Sequence, residues 1–387
     1  MKKSVLVLPR WYPNKTDIQL GTFIQQQAQL MATDFDMSVI YVQADSNANE
    51  LFTVEESTKN NVKEVLVYFK SGNGIFSKII NAKRYKKAQQ IGFEKLNKKI
   101  DLCHVHVPYR SAFLALRLQA KNKTPFVITE HWSGHLNGDF AKKNTADKAL
   151  YKKVARKAKN ITCVSKILQK HFIQNTGLSA EVIPNSITST KVRSTTTEET
   201  ATGIVTASTS KKINILSVAD FNNDVKNITG LLDAFKSAHQ KNTSLTLTLI
   251  GGGPDEKLIS DKIISLSLQN EVTVLGRLAH SEVITHYSKC DFYCCNSNFE
   301  TFGMAVAEAL IAGKPVVSTK CGGPEEFLNS ENSLLVPTKN ATALANALLT
   351  MANTYSNYNS SKNAADIENR YGQEAVKKMW LNFYHSP

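Results

Sequence analysis

The feature that most restricts what this chain can fold into is an alternation of short apolar runs with longer amphipathic ones, repeated in two stretches on either side of a Ser/Thr-rich gap. In the first stretch the strand-like runs fall at 4–8, 37–42, 64–68, 102–107, 126–129 and 161–164, with helical runs near 22–33, 78–99, 111–120 and 147–157. In the second they fall at 213–218, 245–250, 271–275, 292–295, 315–318 and 333–336, with helices at 228–239, 255–268, 281–289, 303–312 and 341–351. Strands that alternate with helices predict right-handed βαβ units and parallel sheets covered on both faces. The gap, residues 186–210, holds 14 Ser or Thr in 25 residues and almost no large apolar side chains. Such a segment cannot bury enough surface to offset its ordering entropy, so it reads as a linker. A length of 387 residues suits two domains better than one. The predicted organisation is a first domain over 1–185, a linker over 186–211, a second domain over 212–365, and a terminal helix within 366–387 that packs back on the first domain.

Hydrophobic residues at 42% and charged residues at 21% are globular values that exclude a disordered or fibrous chain. No apolar run reaches the roughly 18 residues that would span a bilayer, and Val5 to Leu8 is too short for a signal peptide. A cytoplasmic protein is expected. The six cysteines sit in or beside apolar strand-like segments and read as buried free thiols. Cys294 and Cys295, adjacent in a strand, would point to opposite faces, which argues against a metal cluster there. The net charge of +14 is unevenly distributed: residues 1–185 carry 29 Lys and Arg against 14 Asp and Glu, whereas the rest carry 18 against 19. The positive field, concentrated in 78–99 and 142–159, suits an anionic membrane, an acidic ligand or a merely solvated face. The aromatic and glycine interleaving of single-strand binders is missing from these runs, so nucleic acid is not an expected partner.

The stretch richest in chemistry is 298–310, Asn-Phe-Glu-Thr-Phe-Gly-Met-Ala-Val-Ala-Glu-Ala-Leu. It places Glu300 in a loop and Glu308 in the helix that follows. Between them Phe302, Gly303 and Met304 offer amide groups at a helix N-terminus, where unpaired N–H groups and the helix dipole favour an anion such as a diphosphate. A carboxylate inside that helix suits paired hydrogen bonds from a ribose. The plainer alternative makes Glu300 a cap and Glu308 a surface residue.

Together with its surroundings this pattern resembles the family 4 retaining glycosyltransferases of GT-B fold, in which a Glu followed by Phe-Gly precedes a second Glu eight positions on. The resemblance continues through Ile183-Pro184-Asn185, 215–235 with Lys226, Gly251-Gly252-Gly253-Pro254, Val274-Leu275-Gly276-Arg277, 313–317 and Gly322-Gly323 with Glu325. In the first half it rests on Trp11-Tyr12-Pro13, Gly21-Thr22-Phe23, Asp101 with His104 and His106, Thr129-Glu130-His131 and Val164-Ser165. It implies two Rossmann-like domains whose parallel sheets face an interdomain cleft. It also implies metal-independent transfer of a hexose from a nucleoside diphosphate sugar, with UDP the expected carrier, and no bound cofactor. The acceptor implied is a saccharide or lipid-linked saccharide in cell-surface polysaccharide assembly, which places a peripheral protein on the inner face of the cell membrane. By the same resemblance, Lys226 and the amides of Phe302, Gly303 and Met304 hold the diphosphate, Glu308 the ribose, and Gly276 and Arg277 the base. Glu300 and His131 lie beside the transferred sugar, and Gly21 lets its loop approach the diphosphate.

One departure stands out, because the family usually has Gly-Arg after the strand preceding the lysine and this chain has Ala219-Asp220. An aspartate beside a diphosphate repels it, so either Asp220 points elsewhere while Arg277 or Lys320 supplies the cation, or donor binding is weakened. Zinc at His104-x-His106 lacks a completing carboxylate pair, and Glu256 stands where a dinucleotide fingerprint after Gly251 needs glycine. The alternatives to transfer are a sugar-nucleotide 2-epimerase of the same fold and a non-catalytic basic binding protein.

Overall fold

The computed structural model describes residues 2–188 and 211–385. Two compact units divide at Ser186/Ile187 and again at Gly372/Gln373. Of the expected linker, residues 189–210 lie outside the described residues.

The first unit is built on β1 (Ser4–Pro9), α1 (Thr22–Met31), β2 (Asp36–Asp45), β3 (Phe52–Lys59), β4 (Val62–Lys70), α2 (Ser77–Leu96), β5 (Leu102–His106), α3 (Phe113–Asn122), β6 (Phe126–Glu130), α4 (Asp139–Lys142), α5 (Thr145–Ala155), β7 (Ile161–Cys163), α6 (Lys166–Thr176) and β8 (Glu181–Val182). Its eight strands order as β3-β4-β2-β1-β5-β6-β7-β8. β1 is fully buried and pairs in parallel with β2 and β5, Val5 opposite Met37 and Leu102. The sheet is not wholly parallel, because β3 pairs antiparallel with β4. Sequence reading passed over β3: its residues, Phe-Thr-Val-Glu-Glu-Ser-Thr-Lys, form an exposed edge with no buried face to impose alternation.

The second unit comprises β9 (Ile213–Val218), α7 (Asn223–Lys226), α8 (Ile228–His239), β10 (Leu245–Ile250), α9 (Glu256–Ser265), β11 (Val272–Val274), α10 (His280–Lys289), β12 (Phe292–Cys295), α11 (Met304–Ile311), β13 (Val316–Thr319), β14 (Ser333–Val336), α12 (Ala341–Thr354) and α13 (Ser360–Tyr371). Its strand order, β11-β10-β9-β12-β13-β14, is the doubly wound arrangement in which the chain steps outward from β9 twice, on opposite sides. α8 shows why the pattern was readable: Ile228, Leu231, Leu232, Phe235 and Ala238 recur at helical spacing and form one buried stripe.

α14 (Gln373–His385) belongs to the first unit. Val376, Trp380, Phe383 and Tyr384 bury one face of it in the cluster that also holds Tyr12, Ile24, Met31 and Phe35. Burying each such side chain stabilises by roughly 1.5–3 kcal/mol. The change of unit comes after α13, seven residues beyond the boundary expected at 366, because α13 packs on α11 in the second unit. No helix among the described residues is long and apolar enough to cross a membrane.

Candidate active site

In an open α/β sheet a crevice opens at the carboxyl ends of the strands where the winding reverses. In the second unit that point lies between β9 and β12. From β9 the chain passes through Asp220 and the buried Phe221 into α7, whose last residue is Lys226. From β12 it passes through Asn296, Ser297 and Asn298 to Glu300. Three hydrogen bonds fasten these two segments: Asn298 N to Val225 O at 2.7 Å, Asn298 Nδ2 to Asp224 O at 2.9 Å, and Asn296 Nδ2 to Asn227 O at 2.8 Å. Glu300 is held from its other side as well, its N–H donating to Cys321 O at 2.8 Å and its carbonyl accepting from Gly323 N at 2.9 Å.

The result is a fixed ion pair. Lys226 Nζ donates to Glu300 Oε1 at 2.6 Å, and Ser297 Oγ donates to the same oxygen at 2.7 Å. Burial opposes the Lys226 charge, yet the charge and hydrogen bond of Glu300 outweigh it, so the pKa of the ammonium rises above the ordinary lysine value. Lys226 is largely buried and ends the short helix α7.

Just beyond Glu300, Gly303 turns the chain into α11 with φ of 92°, and a Cβ there would lie 2.5 Å from Pro324 Cγ, so only glycine fits. The side chain of Phe302 is buried against the rings of Phe327 and Tyr371, with centroids 5.6 and 5.5 Å away. It anchors the loop, which leaves its backbone as the part available to an anion. Gly303 O accepts from Val306 N and Ala307 N, so the first turn begins at Met304 and presents the positive end of the helix dipole. One turn on, Glu308 is a constrained acceptor and not a free surface residue. Its Oε1 lies 2.9 Å from His280 Nε2, and Tyr287 OH donates to Oε2 at 3.1 Å. Sequence reading missed His280 and Tyr287, which belong to no motif and meet Glu308 only because α10 and α11 are neighbours. The hydrogen bond that Glu308 accepts raises the His280 pKa despite partial burial.

Arg277 and Gly276 follow β11, and Arg277 lies over the glycine turn after β10, donating from Nη2 to Gly252 O at 2.9 Å. Its Nη1 is 3.3 Å from Asp220 Oδ1. Lys320 lies exposed beyond β13, its N–H donating to Val336 O at 2.8 Å.

The first unit gathers the remaining two candidates. Gly21 takes φ of 67° ahead of α1, and a Cβ there would lie 2.4 Å from Trp11 O. Phe23, two residues on, sets its ring 4.9 Å from that of His131. His131 follows β6, and its Nε2 lies 2.9 Å from His106 Nδ1 with the two rings stacked. Glu130 fixes the backbone here by accepting from the N–H groups of His131 and Trp132, while Tyr151 donates to its second oxygen. Burial pushes the His131 pKa down to about 4 and that of His104 to about 3, and holds His106 well below the usual value. All three rings are neutral near pH 7. Both nitrogens of His104 are engaged, Nδ1 with Tyr384 OH and Nε2 with Thr129 Oγ1, each at 2.6 Å.

Two family descriptions match the chain: "Glycosyltransferase Family 4" over residues 27–191 and "Glycosyl transferases group 1" over residues 204–367. The chain belongs to the family 4 glycosyltransferases. An uncharacterized glycosyltransferase of Methanocaldococcus jannaschii is 26% identical to this one over 78% of this chain and 79% of its own. Among solved structures, a sucrose-phosphate synthase from Thermosynechococcus elongatus superposes with a TM-score of 0.75 at 16% identity, covering 99% of this chain and 98% of the other. Anabaena HepE, solved in complex with UDP and glucose, gives 0.73 at 18% identity over the whole of both chains. Both have the GT-B fold, which this glycosyltransferase shares. Its doubly wound second unit, with the Lys226–Glu300 pair at the switch point, is one of the two α/β units of that fold.

Proposed function

We propose that this glycosyltransferase moves a hexosyl group from a UDP-sugar to a saccharide or lipid-linked saccharide, with retention at the anomeric carbon and without a metal ion. The observation that carries the reading is the Lys226–Glu300 pair, 2.6 Å apart, beside the N-terminus of α11. As the bond from the anomeric carbon to phosphate breaks, negative charge grows on the departing diphosphate. Lys226 and the amides of Phe302, Gly303 and Met304 are preorganised to receive it, and such electrostatic stabilisation is often the largest catalytic term. Glu300 then serves twice, keeping the ammonium charged and accepting from hydroxyls of the transferred sugar. Glu308 has acceptor capacity beyond its contacts with His280 and Tyr287 and takes the ribose hydroxyls. The acceptor oxygen attacks from the face the diphosphate leaves and gives its proton to the departing phosphate oxygen, so no covalent enzyme intermediate is needed. A neutral His131 beside the sugar offers an uncharged ring nitrogen or its carbonyl to the developing positive charge.

The UDP bound by HepE supports uridine as the carrier. Screening UDP, GDP and ADP for thermal stabilisation tests this: a ligand at a hundred times its Kd stabilises by about 2.7 kcal/mol, and UDP is expected to exceed the others. A larger shift with GDP or ADP would sink the uridine assignment. Incubating a UDP-sugar with and without acceptors separates transfer from epimerisation, since an epimerase releases a new sugar nucleotide with no acceptor present. Failure of every nucleotide to bind would favour a non-catalytic basic protein.

For location, the reading places the first unit on the anionic inner face of the cell membrane, where it would contribute to polysaccharide assembly. Ile75, Phe76 and Ile79 are exposed at the start of α2, 91%, 63% and 58% respectively, alongside Lys78, Lys83, Lys86 and Lys87. Apolar side chains that would enter the acyl boundary, flanked by lysines that would meet lipid phosphates, support it.

A further inference from the structure

The carboxyl ends of β1, β5 and β6, neighbours in the first sheet, carry Arg10 and Trp11, Tyr109 and Arg110, and Trp132. Lys143, ahead of α5, reaches over them: its Nζ lies 5.4 Å from the Tyr109 ring centroid and 4.9 Å from that of Trp132. The Arg10 guanidinium lies 5.4 Å over Trp11. These cations rest on aromatic faces, and among the described residues none of Arg10, Arg110 and Lys143 forms an ion pair. Lys226, Arg277 and Lys98, by contrast, face carboxylates. The difference has a consequence for charge. A carboxylate cancels a cation, whereas an aromatic face holds it in place by its quadrupole and leaves its net charge and its N–H donors to a ligand.

The backbone beneath this group is built to a fixed shape. Val107, buried and β-branched, takes φ of 62°, a conformation such a residue adopts only when neighbours enforce it. Its N–H donates to Thr129 O at 2.9 Å, and its carbonyl accepts from Tyr109 N at 2.9 Å and from Ser111 Oγ. That turn sets the direction of Tyr109 and Arg110. Trp132 is fixed from below, since a Cβ at Gly134 would lie 2.1 Å from its ring, and by Glu130, which accepts from its N–H at 2.7 Å. Arg10 is tied in by its N–H, which donates to His106 O at 3.2 Å.

We propose that Arg10, Tyr109, Arg110, Trp132 and Lys143 form the acceptor subsite of the first unit, and that the acceptor it takes is a saccharide carrying an oxyanion group, carboxylate or phosphate. The inference rests on the transferase reading and adds to it the charge of the acceptor and the side chains that recognise it. Guanidinium and ammonium donors at fixed positions meet the paired oxygens of such a group, and the exposed parts of the two rings pack against the C–H face of a sugar.

The test is calorimetric titration of the full chain with three probes: a glucuronate-containing tetrasaccharide, a short-chain prenyl diphosphate sugar, and neutral maltotetraose. One or both anionic probes should bind at least about tenfold more tightly than the neutral one at low salt, a margin worth one decade in Kd. Which of them does so separates a uronic acid from a lipid-linked phosphate as the source of the charge. Lys143→Met and Arg110→Met should each lower affinity for the favoured probe about tenfold, Lys143→Arg should restore it, and Trp132→Ala should behave like Lys143→Met. Equal affinity for charged and neutral probes, or a Lys143→Met/Arg110→Met protein that keeps the preference, overturns the inference. UDP titrated into the same proteins distinguishes the two readings. If UDP binds and no anionic saccharide is preferred, the subsite is wrong; if UDP itself does not bind, the transferase reading fails.

Discussion

Asp220 holds its carboxylate 3.3 Å from the Arg277 guanidinium, and its charge also reaches Lys226. Where the family usually has Gly-Arg, this chain thus sets an aspartate against Arg277, the arginine that follows β11. Asp220 is largely exposed, so the pair contributes at most about 1 kcal/mol to stability. Its repulsion toward a diphosphate is of similar size, as unit charges 4 Å apart in water interact by about 1 kcal/mol. Asp220→Asn is therefore expected to leave the melting temperature nearly unchanged and to tighten UDP binding about threefold to tenfold, whereas Arg277→Ala loosens it. Weaker UDP binding by Asp220→Asn in calorimetry would show that Asp220 serves to orient Arg277.

Removing the Lys226 ammonium deprives the departing phosphate of its fixed cation. Lys226→Ala is expected to lower kcat by about 10²- to 10³-fold, the usual cost of one such donor. Glu300→Gln keeps the shape of the site but withdraws the charge that raises the Lys226 pKa, and a smaller loss is expected. A Lys226→Ala protein with unchanged kcat in a steady-state assay would remove Lys226 from the reaction.

The histidines of the first unit predict how stability responds to acid. His104, His106 and His131 titrate near 6.5 when unfolded but lower in the folded chain, down to about 3 for His104 and about 4 for His131. Between these limits the unfolded chain binds more protons, so stability is full above pH 6.5 and falls as the pH drops toward 3. Each histidine contributes about 1.4 kcal/mol per pH unit within its window. Urea melts from pH 7 to pH 4 should show this slope, reduced in His104→Gln. A flat profile would mean that the three rings take up protons as readily in the fold as in the unfolded chain.

Vesicle sedimentation reads the exposed group at the start of α2. Binding to phosphatidylglycerol vesicles is expected, with little to phosphatidylcholine, and Ile75→Asp/Phe76→Asp/Ile79→Asp should abolish it without lowering the melting temperature. Equal sedimentation with both lipids, or none with either, counts against a membrane-facing role.

Periodicity alone was enough to specify the alternation of strands and helices, because buried parallel strands and one-sided helices must repeat every two or about 3.6 residues whatever lies around them. The same local logic made 298–308 readable, since a glycine turn opening a helix writes its requirements into consecutive positions. What periodicity could not convey was any feature set by residues distant in the chain. β3 exists through its pairing with β4, and the terminal boundary moved from 366 to Gln373 because α13 found its partner in the second unit. Lys226 meets Glu300 across 74 positions, and His280 and Tyr287 reach Glu308 across 28 and 21. Which carboxylate faces which cation depends on strand order and helix packing, and those are decided by how the whole core closes.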